Sequence, residues 1–155
     1  MVIDIPGYKT LKIKNLILDY NGTVATDGSI HNEIKEKLIL LSKEFNIYIL
    51  TADTYGNAKE HCKNLPIVIK TFPGENAAYS KLDIVKNLGY EICACIGNGR
   101  NDSLMFKESS LSIAVMGEEG VYAPLLLNSD LCVGSISDAL GLFLKPSRII
   151  ADLRG

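Results

Sequence analysis

A chain of 155 residues, 47% of them hydrophobic, has the size of one ordinary domain and enough apolar side chains for a sizeable core. The formal net charge of −2 comes without any basic block, which excludes the usual signature of a nucleic-acid partner. No apolar run approaches the roughly 20 residues that cross a bilayer, and Met1-Val2-Ile3-Asp4 lacks the basic start and apolar stretch of a signal peptide. The expectation is therefore a single domain over residues 1–155, cytoplasmic, with neither nucleic acid nor membrane as a partner.

Taken in chain order, Lys9 to Lys14 alternates polar and apolar residues and reads as an edge strand or hairpin arm. Short runs rich in β-branched residues follow at Leu16 to Leu18, Ile47 to Leu50, Ile67 to Ile69, Ile92 to Ile96 and Leu111 to Val115, and each predicts a strand. Between them, Ile34, Leu38, Leu41 and Phe45 share one helical face, as do Leu82, Val85 and Leu88. Alternating strand and helix predicts an α/β fold with a mainly parallel sheet covered on both sides. Thr71 to Glu75 reads as a turn before the helix that carries Lys81. Cys62, Cys93, Cys95 and Cys132 show no paired zinc-like spacing and are expected to be buried free thiols, with Cys93 and Cys95 on one face of their strand. The apolar tail from Leu140 to Leu153 either packs across a subunit boundary or closes the core of its own chain.

Parallel sheets bind ligands at the carboxyl ends of their strands, so chemistry belongs just after each run. The first is followed by Asp19-Tyr20-Asn21-Gly22-Thr23, the second by Thr51-Ala52-Asp53, and the fourth by Gly97-Asn98-Gly99-Arg100-Asn101-Asp102. An aspartate can attack phosphorus only where a cation offsets the repulsion between carboxylate and phosphate oxygens. Mg²⁺ suits this role because it holds hard oxygen ligands at about 2.0–2.1 Å. A lysine such as Lys81 adds a fixed positive charge. Thr51 would donate a hydroxyl hydrogen bond to a phosphoryl oxygen, and the glycines let backbone N–H groups approach it closely.

These four ordered segments resemble the motifs of the haloacid dehalogenase superfamily over roughly residues 15 to 135, and more narrowly the phosphorylation domain of P-type ATPases. Thr51-Ala52-Asp53 is similar to the Thr-Gly-Asp of those pumps, Lys81 with Val85 to their lysine helix, and Ile113 to Gly117 to the segment after their last motif. The resemblance implies a three-layer, Rossmann-like fold and a phosphatase working through an aspartyl-phosphate on Asp19. It implies Mg²⁺ held by Asp19, the Asn21 backbone carbonyl, Asn98 and Asp102, and a phosphoryl group oriented by Thr51, Ala52, Gly22 and Lys81. The stretch 20–50 is too short for a cap or a nucleotide-binding domain, so a capless hydrolase of a small phosphorylated substrate is expected and a pump is not. An open site of this kind is covered by a macromolecular substrate or a second subunit, and the resemblance to capless members favours a homo-oligomer.

Two positions depart from the family pattern. Asn21 stands where most of these phosphatases carry a general acid–base aspartate, a loss worth about 10²–10⁴ in rate. Asn98 stands where a charged metal ligand is usual. The expectations are slow turnover of the phosphoenzyme and weak metal binding; the rival expectation is a catalytically weak module that binds phosphate compounds or a protein. A receiver domain is disfavoured because Asp19 ends the first clear strand, whereas a receiver carries its phosphoacceptor after a middle one. His31 and His61 lie apart from the motifs, Arg100 is expected to face solvent, and Tyr20 to point away from Asp19 across the strand. Asp53 reads either as a residue linked to nucleotide or metal by the resemblance or, the favoured reading, as a helix N-cap ahead of Tyr55.

Overall fold

The computed structural model describes residues 1–52 and 57–155, so the expectation for Asp53 lies outside the described residues. In chain order the elements are β1 (Val2–Asp4), β2 (Thr10–Lys12), β3 (Asn15–Asp19), α1 (Asn32–Leu41), β4 (Asn46–Thr51), α2 (Asn57–His61), β5 (Val68–Thr71) and α3 (Ala77–Leu88). They continue with β6 (Cys93–Gly97), α4 (Ser103–Glu108), β7 (Leu111–Val115), α5 (Ala123–Leu126), β8 (Leu131–Val133), α6 (Ile136–Leu144) and α7 (Ser147–Leu153). Six strands form one parallel sheet in the order β5-β4-β3-β6-β7-β8, and β1 with β2 makes a separate antiparallel hairpin, the arm expected near Lys9.

The central strand β3 is buried along its whole length, as a strand covered on both faces must be. Its alternation divides the core. Leu16 and Leu18 face a large cluster with Leu38 of α1, Phe143 of α6 and Ile149 of α7, while Ile17 faces a smaller one with Val85 of α3 and Met105 and Phe106 of α4. Cys93 and Cys95 sit together in that smaller cluster, as their spacing predicts.

Two expectations need correcting, and one that was open between two readings is decided. Cys132 is exposed rather than buried, because β8 is a three-residue edge strand. On α3 the side chains turned fully inward are Lys81 and Val85 rather than Leu82, so the buried face is one position out of phase with a purely apolar reading. The tail closes its own core: Phe143 meets Phe45 edge-on at 5.7 Å, and Leu140 and Ile149 are wholly buried. Among the described residues, no helix is long and apolar enough to cross a membrane.

Candidate active site

The order of strands reverses its direction of growth at β3, which pairs with β4 on one side and β6 on the other, and a crevice opens at their carboxyl ends. Asp19 ends β3 there. By the alternation of β3, its side chain falls on the same face as Ile17, towards α3. Tyr20 turns to the other face and packs in the larger cluster, where its hydroxyl lies 3.0 Å from His61 Nδ1.

From α3, Lys81 enters the crevice fully buried. An ammonium survives such burial only when its charge and donors are matched, and here they are. Its Nζ donates to Asp19 Oδ1 at 2.5 Å, to Asp102 Oδ1 at 2.6 Å and to Asn101 Oδ1 at 3.3 Å. The other oxygen of Asp102, Oδ2, accepts the backbone N–H groups of Asn98 at 3.1 Å and Gly99 at 2.9 Å. A Cβ on Gly97 would overlap this carboxylate, so the chain needs glycine at the end of β6 to let Asp102 fold back beneath it.

The loop after Asp19 is equally constrained. Gly22 has φ +74°, and a Cβ there would also run into the side-chain amide of Asn98. Thr23 is buried, and its hydroxyl lies 3.1 Å from Asn98 Oδ1 and 3.4 Å from Asp19 Oδ2. Asn21 is exposed, and Ala52, just beyond β4, is half-buried. At the end of β4, Thr51 is buried, and its Oγ1 has no hydrogen-bond partner among the described residues. A buried orphan hydroxyl costs about 1–3 kcal/mol, a penalty that a bound acceptor would remove.

Burial, with the Asp102 carboxylate close by, pushes the Asp19 carboxyl up from 3.8 to about 7, against the opposing pull of Lys81. For Lys81, burial works towards a lower value, but Asp102 and Asp19 outweigh it and hold the ammonium above its ordinary 10.5. The crevice thus contains two carboxylates and one cation, an excess of negative charge that a further cation would balance.

The donor set fits a hard, oxygen-seeking metal of modest affinity. Asp19 Oδ2 and Asn98 Oδ1 converge on one hydroxyl, which has a single proton to give, so that hydroxyl leaves lone pairs on both oxygens unused. Both oxygens of Asp102 accept protein donors, Oδ1 from Lys81 and Oδ2 from two backbone N–H groups, and Oδ1 keeps a lone pair. No group of three or more His, Cys, Asp and Glu side chains stands at metal-binding spacing among the described residues.

Comparison with known proteins fits this geometry. No protein-family model matches the chain. It is 46% identical over 59 residues to the uncharacterized protein MJ0073 of Methanocaldococcus jannaschii, a match spanning 38% of this chain and 63% of that protein. It is 54% identical over 39 residues to the uncharacterized protein MJ0072 of the same organism, a match spanning 25% of this chain and 89% of that one. The chain belongs to the same family as that short archaeal protein. Among solved structures, a Legionella pneumophila protein assigned to the HAD superfamily (subfamily III A) matches with a TM-score of 0.72 at 22% identity, over 92% of this chain and 87% of the other. This chain has the haloacid dehalogenase (HAD) fold. The 3-deoxy-D-manno-octulosonate 8-phosphate phosphatase of Moraxella catarrhalis, solved with magnesium, phosphate and its sugar acid, matches with a TM-score of 0.72 at 20% identity over 90% of each chain. The cobalt-bound enzyme of Haemophilus influenzae matches at 0.69 and 20% identity, over 87% of this chain and 90% of that one.

On this HAD fold, the residues singled out in the sequence divide into two groups. Asp19, Lys81 and Asp102 are directly bonded, and Asn98 and Gly22 meet beside them, whereas Arg100 is exposed as expected. Asn21 and Ala52 flank the site by their backbone. Sequence reasoning gave no role to Thr23, Asn101 or His61. The first two lie within the quoted motifs, whose polar side chains were the available signal; His61 is linked to the site only through the Tyr20 hydroxyl.

Proposed function

We propose that this HAD-fold chain is a magnesium-dependent phosphohydrolase of a small phosphorylated substrate, working through an aspartyl-phosphate on Asp19. The observation that carries the reading is Lys81, buried and shared between the nucleophile and Asp102. Asp19 attacks phosphorus, the bond to the leaving oxygen breaks, and water later hydrolyses the acyl phosphate to return the carboxylate. Lys81 holds Asp19 in position and places its charge beside the phosphoryl oxygens. The orphan Thr51 hydroxyl supplies one hydrogen bond to the phosphoryl group, and the backbone around Gly22 and Ala52 supplies close approach. Asp19, the Asn21 carbonyl, Asn98 and Asp102 would hold the metal, with Lys81 and the Asn98 and Gly99 N–H groups fixing the Asp102 carboxylate. When bound, the metal offsets the charge that keeps carboxylate and phosphate apart.

The magnesium- and phosphate-bound Moraxella structure supports both the metal and a small phosphorylated substrate. Asn21 supports slow turnover, because an amide moves no proton. The test is phosphate release from acetyl phosphate and a panel of phosphate esters with added Mg²⁺. Release at least about 10-fold above an Asp19→Asn control is expected, and release equal to that control at every metal concentration would refute the reading.

The asparagines at positions 21 and 98 favour one second reading, a phosphate-binding or regulatory module derived from a P-type ATPase phosphorylation domain. It predicts saturable binding of inorganic phosphate or a phosphate ester to the wild-type protein with no release above the Asp19→Asn control. The first reading further has the chain act as one cytoplasmic domain whose open crevice is covered by a second copy.

A further inference from the structure

Hydrolysis of an aspartyl-phosphate requires a group that takes a proton from the attacking water. Asn21 cannot, and neither can Asn98, since an amide oxygen is no base in this range. Asp102 is committed on both oxygens, and Lys81 is a cation. Among the described residues, the loop between β7 and α5 brings a further carboxylate to the loop that follows Asp19.

That loop is built against the site. Met116 N–H donates to the Val133 carbonyl at 2.9 Å and Gly120 N–H to the Gly117 carbonyl at 2.9 Å. Tyr122 N–H donates to the Asn98 carbonyl at 2.8 Å, and the Asn98 side-chain amide donates back to the Gly120 carbonyl at 3.1 Å. Glu119 stands at the tip of this brace. Its Oε1 accepts the Asp27 N–H at 2.8 Å, which fastens it to the segment that follows the nucleophile loop. Its Oε2 has no hydrogen-bond partner among the described residues and lies 3.2 Å from the point a Cβ on Gly22 would occupy. Gly22 directly follows Asn21 in the chain, so this carboxylate oxygen lies beside the loop in which the usual acid–base group is missing. Glycine at position 22 keeps the space between them open.

We propose that Glu119 is the general base that activates water against phospho-Asp19. The inference rests on the phosphohydrolase reading. In the step, a water oxygen bonds to phosphorus while its proton passes to Glu119 Oε2. The bond between phosphorus and the Asp19 oxygen breaks with its electron pair returning to the Asp19 carboxylate, and inorganic phosphate leaves. Formation of the phosphoenzyme from acetyl phosphate has no need of this proton, because acetate is a good leaving group as an anion.

Radiolabelled acetyl phosphate with Mg²⁺ and an acid quench separates the two half-reactions. Glu119→Gln keeps an oxygen for the Asp27 N–H and removes only the base. It should form phosphoenzyme within about 2-fold of the wild-type rate, and the phosphoenzyme should decay at least about 10-fold more slowly and accumulate. Adding Asn21→Asp to that variant should restore decay to within about 3-fold of wild type, since an acid–base group is then back beside Gly22. Decay of the Glu119→Gln phosphoenzyme within about 2-fold of wild type, or equal slowing of formation and decay, would overturn the assignment while leaving the nucleophile in place. If the wild type forms no phosphoenzyme and releases no phosphate above Asp19→Asn, the parent reading and this one fall together.

Discussion

On the proposed reading Asp19 has to be an anion to attack phosphorus, yet its surroundings favour the proton. Its carboxyl rises from 3.8 to about 7 because it is buried beside Asp102. The folded state of the metal-free protein therefore holds this proton more tightly than the unfolded chain does. The stability drawn from that preference is complete below pH 3.8 and is lost as pH rises through about 7. Metal-free protein in chelator should accordingly melt several degrees lower at about pH 8 than at about pH 5, and millimolar Mg²⁺ should remove most of the difference by stabilising the anion. Melting temperatures that do not change with pH in chelator would show that the carboxyl is not raised. Lys81 carries the opposite charge in the same crevice. Lys81→Met leaves two buried carboxylates facing each other, and chemical denaturation should record a loss of about 3–5 kcal/mol. A loss under about 1 kcal/mol would mean that solvent already compensates the pair.

The positions of the candidate site residues were more legible than the contacts among them. Asp19, Thr51, Lys81 and Asp102 are legible in the sequence because each stands at a strand end or on the expected helix. What Asp102 does with each oxygen is not legible, because that follows from the close turn over Gly97. Glu119 is invisible for a related reason: the bonds between the Gly117 to Tyr122 loop, Asn98 and Asp27 bring it against Gly22.

Among the elements, the five strands with strong β-branched runs were readable, and β8 was not. Three residues cannot display a period, and Leu131 and Val133 are only partly covered at the sheet edge. Helix α3 was legible by its spacing but misjudged in phase, because a buried lysine breaks the rule that inward positions are apolar. Helix α6 shows how a local signal supports the global fold. Ser135 caps it by accepting the Asp138 N–H at 3.1 Å, and Lys37 of α1 reaches the Ser137 carbonyl at 3.1 Å. Ser135→Ala should cost about 1 kcal/mol in denaturant midpoint experiments, with phosphoenzyme formation unchanged, because no residue of α6 bonds Asp19, Lys81 or Asp102. A fall in phosphoenzyme formation at full occupancy of the folded state would contradict that separation.

At the scale of the molecule, the crevice is open and several large apolar side chains stand free around it. Tyr79 is 64% exposed and Met116 49%, and Tyr79 shares a shallow cleft with Arg100 and Asn101 of the metal-side loop. A second copy is the proposed cover, so light scattering on the purified protein should give a mass at least about twice that of one chain. A monomer across the micromolar range would leave the crevice to be covered by substrate alone.

The division of the core by β3 has one more consequence. Asp19 and Lys81 belong to the α3 side, which holds the smaller apolar cluster, while α1, α6, α7 and the β1–β2 hairpin pack the larger cluster on the reverse side. The chemistry therefore depends on the thinner half of the molecule. On warming, α3 can lift and separate Lys81 from its carboxylates while the reverse side still holds the sheet together. Loss of the proposed activity should then be a reversible event that precedes melting and recovers on cooling, as if the site were switched off before the fold was damaged.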